Sequence, residues 1–565
     1  MYLCVWNAAG VYFFSCLVLV VFMMKVGLGE GLRLVIEWES SESFLSEVGF
    51  SMMMDWVSCL FVVSVLFISG CVNLFSGFYM SHETFLKRFS HILHAFVLSM
   101  VILILFPGYL GLMVGWDGLG VVSFLLVVYY MNSGSLSAGM ITAISNRIGD
   151  VCFILAIGLF SSFLSYSLSG GDVFELMILG VLIMLGSMTK SAQVPFSAWL
   201  PEAMAAPTPV STLVHSSTLV TAGVYVLIRF SDYLGEAEKS ILMILSMMTI
   251  LLAGSSGVFE VDMKKVVALS TLSQVGMMMF TISMGANVVA FFHLLVHAFF
   301  KAGMFMCVGG VIFYSGYQDA RFLGGVWFKL PMTGCLLMFS NLSLMGFPFL
   351  SGFYSKELIV GSYLVGHCSL VSFLLLFLSL AFTVFYAFRL MMLTVRDGGL
   401  SGETHYKMES GFYMLSLIFM ANGSISMAVV MQSYFTFVIS SNIGSSFLRG
   451  DIFYLALGMV ILTSFNIFLF MLLGSGAVFN NMMKSFLSKM WFLSPLSGGV
   501  ISSSFLAAVS RFVSFVEMGC VRGYIWQNGL KGAVFSVSEK SRKVNFSMLG
   551  MVLFYCFCFV AMVFL

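Results

Sequence analysis

Apolar segments of about 20 residues follow one another along nearly the whole chain. A segment of this length spans the hydrocarbon core of a bilayer as an α-helix, because a helix satisfies its own backbone hydrogen bonds. Only 9% of the 565 residues are charged, whereas an ordinary soluble domain carries roughly 25%. The sequence therefore predicts an all-α polytopic membrane protein and excludes a conventional soluble enzyme.

The apolar segments predict roughly 14–16 transmembrane helices. They cover residues 8–24, 57–80, 91–106, 108–131, 148–168, 172–190, 210–230, 240–257, 266–285, 288–314, 331–345, 357–384, 412–434, 452–473 and 546–565.

Composition also excludes several kinds of site. Lys and Arg number 26 and Asp and Glu 25, so no basic excess is available to bind nucleic acid. The 11 cysteines include no Cys-x-x-Cys pair, which favours packing over metal, iron–sulfur or disulfide roles. Neither a Walker A motif nor a Gly-x-Gly-x-x-Gly fingerprint after a strand is present. We therefore expect this chain to bind no nucleotide, flavin or metal.

Ionisable residues inside or beside the apolar segments are the most informative. Each costs on the order of 3 kcal/mol at the bilayer centre unless it is paired or hydrated, so its presence points to a function. The candidates are Asp117, Arg147, Asp150, Lys190, His215, Arg229, Asp262, Lys264, Lys265, His293, His297, Lys301, Lys356, Glu357 and Arg389.

Two lysines lie next to interruptions of the helical pattern. Lys190 ends one apolar segment and is soon followed by Pro195, which removes a backbone donor and breaks a helix. Lys356 follows the Gly-Phe-Pro sequence at residues 346–348 and opens another segment. Paired interruptions in corresponding halves are typical of inverted-repeat transporters. The alternative for Lys190 is a lysine that snorkels to the membrane interface.

Asp117 lies in the middle of an apolar segment and is flanked by Gly115, Gly118 and Gly120. Glycines let a neighbouring helix approach closely and leave room for a partner or for water. The sequence therefore predicts either a carboxylate that exchanges a proton beside a cation or a structural hydrogen bond.

His293, His297 and Lys301 recur at every fourth residue, so they share one stripe of a helix. Imidazole titrates near neutral pH, and a hydrated row of proton acceptors ending in a lysine fits this spacing. Zinc is disfavoured because the sequence His-Leu-Leu-Val-His lacks the glutamate of the zinc-protease helix. Haem ligation by these histidines, or by His91 and His94, is an alternative.

His215 lies among serine and threonine residues in another apolar segment. This hydroxyl-rich setting predicts that His215 extends the polar row of the histidine stripe. The alternative is an ordinary packing role.

Two charge clusters lie at segment boundaries. Arg147 and Asp150 stand at the edge of a predicted span and fit an ion pair at the membrane interface. Asp262, Lys264 and Lys265 precede an apolar segment and fit either a supporting charge cluster or a solvated turn.

The stretch at residues 189–218, which contains Trp-Leu-Pro-Glu-Ala-Met-Ala-Ala-Pro-Thr-Pro, resembles the signature of the antiporter-like membrane subunits of NADH–ubiquinone oxidoreductase, respiratory complex I. Further matching motifs occur in order between residues 55 and 396. They are Gly115-Trp116-Asp117-Gly118, Asn146-Arg147-Ile148-Gly149-Asp150, Asp262-Met263-Lys264-Lys265, His297-Ala298-Phe299-Phe300-Lys301-Ala302 and Gly352-Phe353-Tyr354-Ser355-Lys356-Glu357.

This resemblance implies a proton-translocating subunit of an NADH:ubiquinone reductase, with no redox centre of its own. The NADH, FMN, iron–sulfur clusters and ubiquinone of that complex are bound by other subunits. The resemblance implies that Lys190 is the lysine of a first half-channel, that Asp117 is its partnering acid and that Lys356 is the proton exit. The central hydrated axis would consist of His215, His293, His297 and Lys301.

Two positions depart from the family pattern. The family usually has glutamate at the position of Asp117, and the shorter aspartate favours a bridging water between this residue and Lys190. Glu357 stands where the family usually has aspartate.

The pattern of segments, together with the resemblance, predicts six regions. They are N-terminal helices at 1–107, a first repeat at 108–230, a second repeat at 240–395, further membrane helices at 396–484, a lateral amphipathic helix at 485–545 and a C-terminal anchor helix at 546–565. The alternative for residues 485–545 is a loop outside the membrane. The lateral helix would contact neighbouring antiporter-like chains, which favours the distal member of the family.

The 44 methionines and 60 phenylalanines are typical of a mitochondrially encoded protein and predict a multi-pass protein of the mitochondrial inner membrane. Three other functions stay open from the sequence. They are a multisubunit cation/proton antiporter without redox function, a haem-bearing membrane redox subunit, and a scaffold whose buried charges are only ion pairs.

Overall fold

The computed structural model describes residues 2–26, 34–38, 50–166, 173–365, 370–395, 409–442, 481–493, 502–516, 532 and 535–536. The predicted spans 452–473 and 546–565, and much of the predicted lateral region 485–545, lie outside these residues. The chain divides into two units, Met1–Leu493 and Ser494–Leu565. The first unit contains every residue of the candidate site.

The first unit is built from α-helices, with one antiparallel β-hairpin near its N-terminus in which Val35 pairs with Met53. Its N-terminal part consists of α1 (Tyr2–Val26), β1 (Leu34–Trp38), β2 (Phe50–Met54), α2 (Trp56–Tyr79), α3 (Leu86–Leu105), α4 (Tyr109–Val127), α5 (Ser133–Tyr166) and α6 (Val173–Lys190). The middle part consists of α7 (Trp199–Glu202), α8 (Thr208–Val210), a π-helix (Ser211–Thr218), α9 (Leu219–Arg229), α10 (Glu236–Phe259), α11 (Met263–Ser283) and α12 (Asn287–Ser315). The remainder consists of α13 (Val326–Lys329), α14 (Pro331–Met345), α15 (Ser351–Val365), α16 (Leu370–Val395), α17 (Gly411–Asn442) and α18 (Asn481–Ser488).

Short 3₁₀ turns connect several of these helices. They are Phe196–Ala198, Ala203–Ala205, Ser231–Tyr233, Ala320–Phe322 and Met490–Phe492. In the second unit, the structure describes one helix, α19 (Ser502–Val513).

Ten helices among the described residues are long and apolar enough to cross a membrane. Shorter apolar helices add to them, including Gly111–Val127, Met177–Lys190 and Pro331–Met345. The prediction of an all-α polytopic membrane protein is therefore confirmed, with the β-hairpin as an addition that the apolar pattern did not indicate.

Four elements form the interior of the first unit. The spans Trp56–Tyr79, Thr208–Arg229, Met263–Ser283 and Asn287–Ser315 are 89%, 94%, 100% and 94% buried, whereas Ser133–Leu159 is only 33% buried. Polar side chains on the inner helices are therefore shielded by protein, which is the arrangement that ionisable residues require at membrane depth.

Several helix boundaries differ from the predicted ones, and two of the differences change the interpretation. Helix α5 begins at Ser133 instead of residue 148, so Arg147 lies inside a helix and the predicted position at a span boundary is wrong. The predicted span 357–384 is divided between α15 and α16. The first half of α5 is rich in serine and glycine, so hydropathy alone does not reveal where this helix begins.

Both predicted helix interruptions are present. Helix α6 ends at Lys190, and the chain then runs through short 3₁₀ and α turns before the helical segment resumes at Thr208. Helix α14 ends at Met345, where Gly346 adopts a left-handed conformation with φ of 83°, and α15 begins at Ser351. Lys190 thus precedes the first interruption, and Lys356 follows the second.

Candidate functional site

Six of the seven residues predicted to transfer protons are almost completely buried. Lys190, His215, His293, His297, Lys301 and Lys356 each expose 1% or less of their surface. The seventh, Asp117, keeps 43% of its side chain exposed. The buried residues lie on α6, the π-helix, α12 and α15, and α12 packs against both the π-helix and α15.

Lys190 is held by Trp116 of α4. Its Nζ donates a hydrogen bond of 2.6 Å to the Trp116 carbonyl oxygen and lies 3.7 Å from the centroid of the Trp116 ring. A carbonyl oxygen and the face of an indole ring both stabilise a buried ammonium group. Gly115 allows this arrangement, because a Cβ there would lie 2.6 Å from the Leu103 backbone nitrogen of α3.

Asp150 of α5, which is 5% exposed, is the acid that shares Trp116 with this lysine. Its Oδ1 accepts a hydrogen bond of 2.9 Å from Trp116 Nε1, and its Oδ2 lies 2.9 Å from Arg147 Nη1. Trp116 therefore contacts the lysine through its carbonyl group and the aspartate through its indole N–H. We call Trp116, Asp150 and Lys190 the tryptophan bridge.

Asp117, the acid that the resemblance implies as the partner of Lys190, lies beside Arg147. Its Oδ1 lies 3.8 Å from Arg147 Nη1, at the half-exposed face of α4 and α5. No carboxylate oxygen among the described residues lies within 4.0 Å of Lys190 Nζ. Arg147 thus lies between two acids, the buried Asp150 and the half-exposed Asp117.

His215 lies within the π-helix that follows the first interruption. Neither of its ring nitrogens has a hydrogen-bond partner among the described residues, and its ring lies 6.2 Å from that of Trp199. The nearby hydroxyl groups of Ser211 and Thr212 donate instead to carbonyl oxygens of their own helix. A buried imidazole with two free nitrogens is a site that ordered water typically satisfies.

The histidine stripe of α12 is confirmed as one continuous face. The rings of His293 and His297 lie 6.1 Å apart. Lys301 Nζ donates a hydrogen bond of 2.5 Å to Ser270 Oγ of α11. Both nitrogens of His297 lack partners among the described residues, so they are also polar atoms of the kind that ordered water typically satisfies.

Lys356 closes the second interruption. Its Nζ donates to the carbonyl oxygen of Leu344 in the last turn of α14. A lysine at this position satisfies a carbonyl group left free at the end of a helix and interacts favourably with the helix dipole. The neighbouring Glu357 is 9% exposed, and its Oε1 lacks a partner within the described structure.

The three supporting charges at the start of α11 separate into two roles. Lys264 is 6% exposed and donates a hydrogen bond of 3.4 Å to the carbonyl oxygen of Ala206, in the first interruption. Lys265 and Asp262 form an ion pair of 3.7 Å with 40% and 41% of their side chains exposed. The sequence-based alternative of a solvated turn therefore describes Lys265 and Asp262, but not Lys264.

Sequence reasoning missed four residues that contact the predicted ones: Trp116, Ser270, Gln274 and Ser355. It considered only ionisable residues, and these side chains are neutral. The sequence did contain a signal for Trp116 and Gln274, because an indole N–H and a side-chain amide inside apolar segments both need hydrogen-bond partners.

Within the described ranges, no group of three or more His, Cys, Asp or Glu residues comes together as metal ligands. His94 Nδ1 is hydrogen-bonded to the Tyr12 hydroxyl at 2.7 Å, which leaves only its other nitrogen for a ligand.

Two family profiles match the chain. Residues 108–383 match the family described as "NADH:quinone oxidoreductase/Mrp antiporter, TM". Residues 38–90 match "NADH-Ubiquinone oxidoreductase (complex I), chain 5 N-terminus".

Relatives with the same description cover most of the chain. NADH-ubiquinone oxidoreductase chain 5 of Anopheles gambiae is 41% identical over 501 residues, which is 85% of this chain and 84% of the relative. The chain 5 proteins of Mytilus edulis and Lumbricus terrestris are 46% and 43% identical. The matches cover 70% of this chain and 70% of the Mytilus protein, and 72% of this chain and 71% of the Lumbricus protein.

Two solved structures share the fold. The Mrp complex of a Dietzia species gives a TM-score of 0.74 at 24% identity, covering 94% of this chain and 58% of that longer chain. An archaeal membrane-bound sulfane sulfur reductase gives 0.67 at 20% identity, covering 77% of this chain and 90% of that chain. At these identities the likeness concerns the fold alone.

The tryptophan bridge leads to a stability prediction. Trp116→Phe keeps an aromatic face and a carbonyl group for Lys190 but removes the N–H donor to Asp150. Leaving a buried carboxylate oxygen without its donor costs about 1–3 kcal/mol, so we expect a lower unfolding midpoint in detergent. Trp327→Phe is the control, because Trp327 is 37% exposed. Equal midpoints for the two variants would contradict the bridge.

Proposed function

The chain belongs to the NADH-ubiquinone oxidoreductase chain 5 family, and on that premise we propose that its buried lysine and histidine side chains carry the transferred protons. The chain is a proton-translocating, antiporter-like membrane subunit of respiratory complex I, an H⁺-translocating NADH:ubiquinone reductase. Electron transfer from NADH to ubiquinone takes place in other subunits of the complex, which hold the FMN and iron–sulfur clusters.

One observation carries this proposal. Six ionisable side chains, from Lys190 to Lys356, are buried at 1% exposure or less inside a membrane protein. Charged groups at membrane depth are costly, and they typically mark pathways for ions or protons. Support for a hydrated pathway comes from His215 and His297, whose four ring nitrogens have no partner among the described residues.

The tryptophan bridge supports a way to control the proton on Lys190. A negative charge nearby favours the protonated form of a lysine, and neutralising that charge favours release of the proton. Arg147 Nη1 lies 2.9 Å from Asp150 and 3.8 Å from Asp117, so a small movement transfers the guanidinium between the two acids. Asp150 is thus the acid that acts on Lys190, and Asp117 is the alternative partner that draws Arg147 away.

The remaining buried groups extend from the first interruption to the second. His215 would receive the proton by way of water, because no side chain in the described structure bonds to its ring nitrogens. The stripe of His293, His297 and Lys301 on α12 would continue the path, and Lys356 would release the proton on the opposite side. Residues 108–230 and 240–395 would form the two repeats that contribute one interruption each.

Neighbouring subunits and location follow from the same premise. The chain is a multi-pass membrane protein of a multisubunit complex, and we assign it to the mitochondrial inner membrane. Its partners would be other antiporter-like membrane chains, reached through the lateral region 485–545. Support for that contact comes from α19, where Phe505, Leu506 and Phe512 are 66%, 64% and 68% exposed.

The central test replaces the two lysines at the helix interruptions. In membranes carrying the assembled complex, we expect Lys190→Met and Lys356→Met each to slow proton transfer through this subunit roughly 100-fold or more, because each removes a proton carrier. The measurement is the number of protons pumped per electron, with NADH oxidation recorded in parallel. Lys239→Met, in an exposed pair with Glu236, is the control. Normal pumping at full electron flux in either variant would refute the assignment of that lysine.

A second test compares the two acids near Arg147. Asp150→Asn removes a buried charge next to the tryptophan bridge, whereas Asp117→Asn removes a half-exposed one. We expect pumping per electron to fall more strongly in Asp150→Asn, and we expect Asp117→Asn to keep part of it. A larger loss in Asp117→Asn would instead make Asp117 the partner that controls Lys190.

A further inference from the structure

His293 is held on both sides of its ring by neutral side chains from two other helices. Its Nδ1 lies 2.9 Å from Ser355 Oγ of α15, and its Nε2 lies 3.2 Å from Gln274 Oε1 of α11. All three side chains are fully buried. His297, one turn away on α12, has no such partners among the described residues. The two neighbouring histidines are therefore in different hydrogen-bonding environments.

The partners of His293 define its tautomer. An amide oxygen can only accept a hydrogen bond, so the nitrogen that faces Gln274 Oε1 carries the ring proton. That nitrogen is Nε2, and Nδ1 is then the basic nitrogen of the neutral ring. The hydroxyl group of Ser355 donates to Nδ1. The basic side of His293 consequently faces α15, the helix of Lys356, and its N–H side faces α11.

We propose that Ser355 is a catalytic residue of proton transfer and that Gln274 is the positioning residue that directs the basic nitrogen of His293 toward it. This inference rests on the proposed function. While the Ser355 hydroxyl group is turned to the Gly352 carbonyl oxygen, a water molecule on the His297 side gives a proton to Nδ1: its O–H bond breaks as the Nδ1–H bond forms, and the water takes a replacement proton from the preceding member of the row. The imidazolium ion that results keeps its Nε2–H on Gln274 Oε1. When the hydroxyl group turns back, the Nδ1–H bond breaks as a new Oγ–H bond forms on Ser355, and the original Oγ–H bond breaks as its proton passes to the neutral Nζ of Lys356.

The surroundings of Gln274 support this role. Its Oε1 contacts His293 Nε2, and the same amide group also interacts with the hydroxyl group of Tyr386, which fixes its position beside the ring. Its neighbour Ser273 bonds to the Tyr386 hydroxyl at 3.0 Å, which fixes α11 against α16 beside the histidine. A buried amide oxygen that faces one ring nitrogen selects the tautomer that carries its proton on that nitrogen.

The position of Ser355 supports the transfer step. It directly precedes Lys356 in α15 and lies in the turn that follows the second interruption. Its hydroxyl group also lies 3.3 Å from the Gly352 carbonyl oxygen, which offers the hydrogen a second acceptor when it leaves Nδ1. The hydroxyl group can therefore turn between the histidine and the interruption.

The test compares variants at equal amounts of assembled complex, with protons pumped per electron as the readout. Ser355→Ala removes the hydroxyl group and is expected to slow transfer roughly 100-fold, whereas Ser355→Thr keeps it and is expected to restore transfer. Gln274→Met removes the acceptor at similar volume and is expected to slow transfer roughly tenfold. Where Ser355→Ala does not assemble, Ser355→Val replaces it with the same expected direction, because valine has the shape of threonine without its hydroxyl group.

A His293→Gln background separates this inference from a structural effect and from the proposed function. We expect Gln274→Met and Ser355→Ala to cause no further loss in that background, since both act through His293. A full additional loss there, or equal losses in Ser355→Thr and Ser355→Ala, would overturn the inference. Normal pumping by the single variant His293→Gln would instead refute the proposed role of the stripe. A loss in His293→Gln with normal pumping in Ser355→Ala and Gln274→Met would overturn this inference alone.

Discussion

The free energy needed to keep a charged or titratable side chain inside a bilayer governs the architecture of this chain. Lys190 and Lys356 each have an apolar setting, and each is stabilised by a backbone carbonyl oxygen. Lys301 uses a serine hydroxyl group instead. These partners carry no charge, so the amino group of each lysine can gain or lose a proton without a carboxylate in direct contact. A carboxylate in direct contact would stabilise the charged form more strongly and would oppose release of the proton.

A helix interruption supplies the neutral partner of Lys356. A continuous helix uses its carbonyl groups internally, but the last turn of α14 leaves carbonyl groups free, and Lys356 bonds to the one at Leu344. At the first interruption, Lys264 reaches the Ala206 carbonyl oxygen from another helix. Irregular backbone at membrane depth is stable only where protein or water surrounds it. The interior helices α2, α11 and α12 provide that protection, and the outer helices separate them from lipid.

Sequence reasoning identified the site residues that are costly to bury in a bilayer or that recur with the period of a helix. Lys190 and the stripe beginning at His293 stand out because ionisable residues are rare in apolar segments and because a helix has a fixed period. The pairing of Asp150 with Trp116 could not be predicted in the same way. It depends on how α4, α5 and α6 pack, and several acids near Arg147 fit the pattern equally well. The start of α5 was missed because the first half of this helix is rich in serine and glycine and carries little hydrophobic signal.

The account depends most directly on water inside the protein. It can be tested by an experimental density map of the assembled complex at a resolution that reveals ordered water. The account predicts water molecules within hydrogen-bond distance of the ring nitrogens of His215 and His297, continuing toward the neighbouring members of the row. Only apolar contacts around these four nitrogens would contradict it, because a dry gap on either side of each histidine would leave the buried lysines without a path for protons.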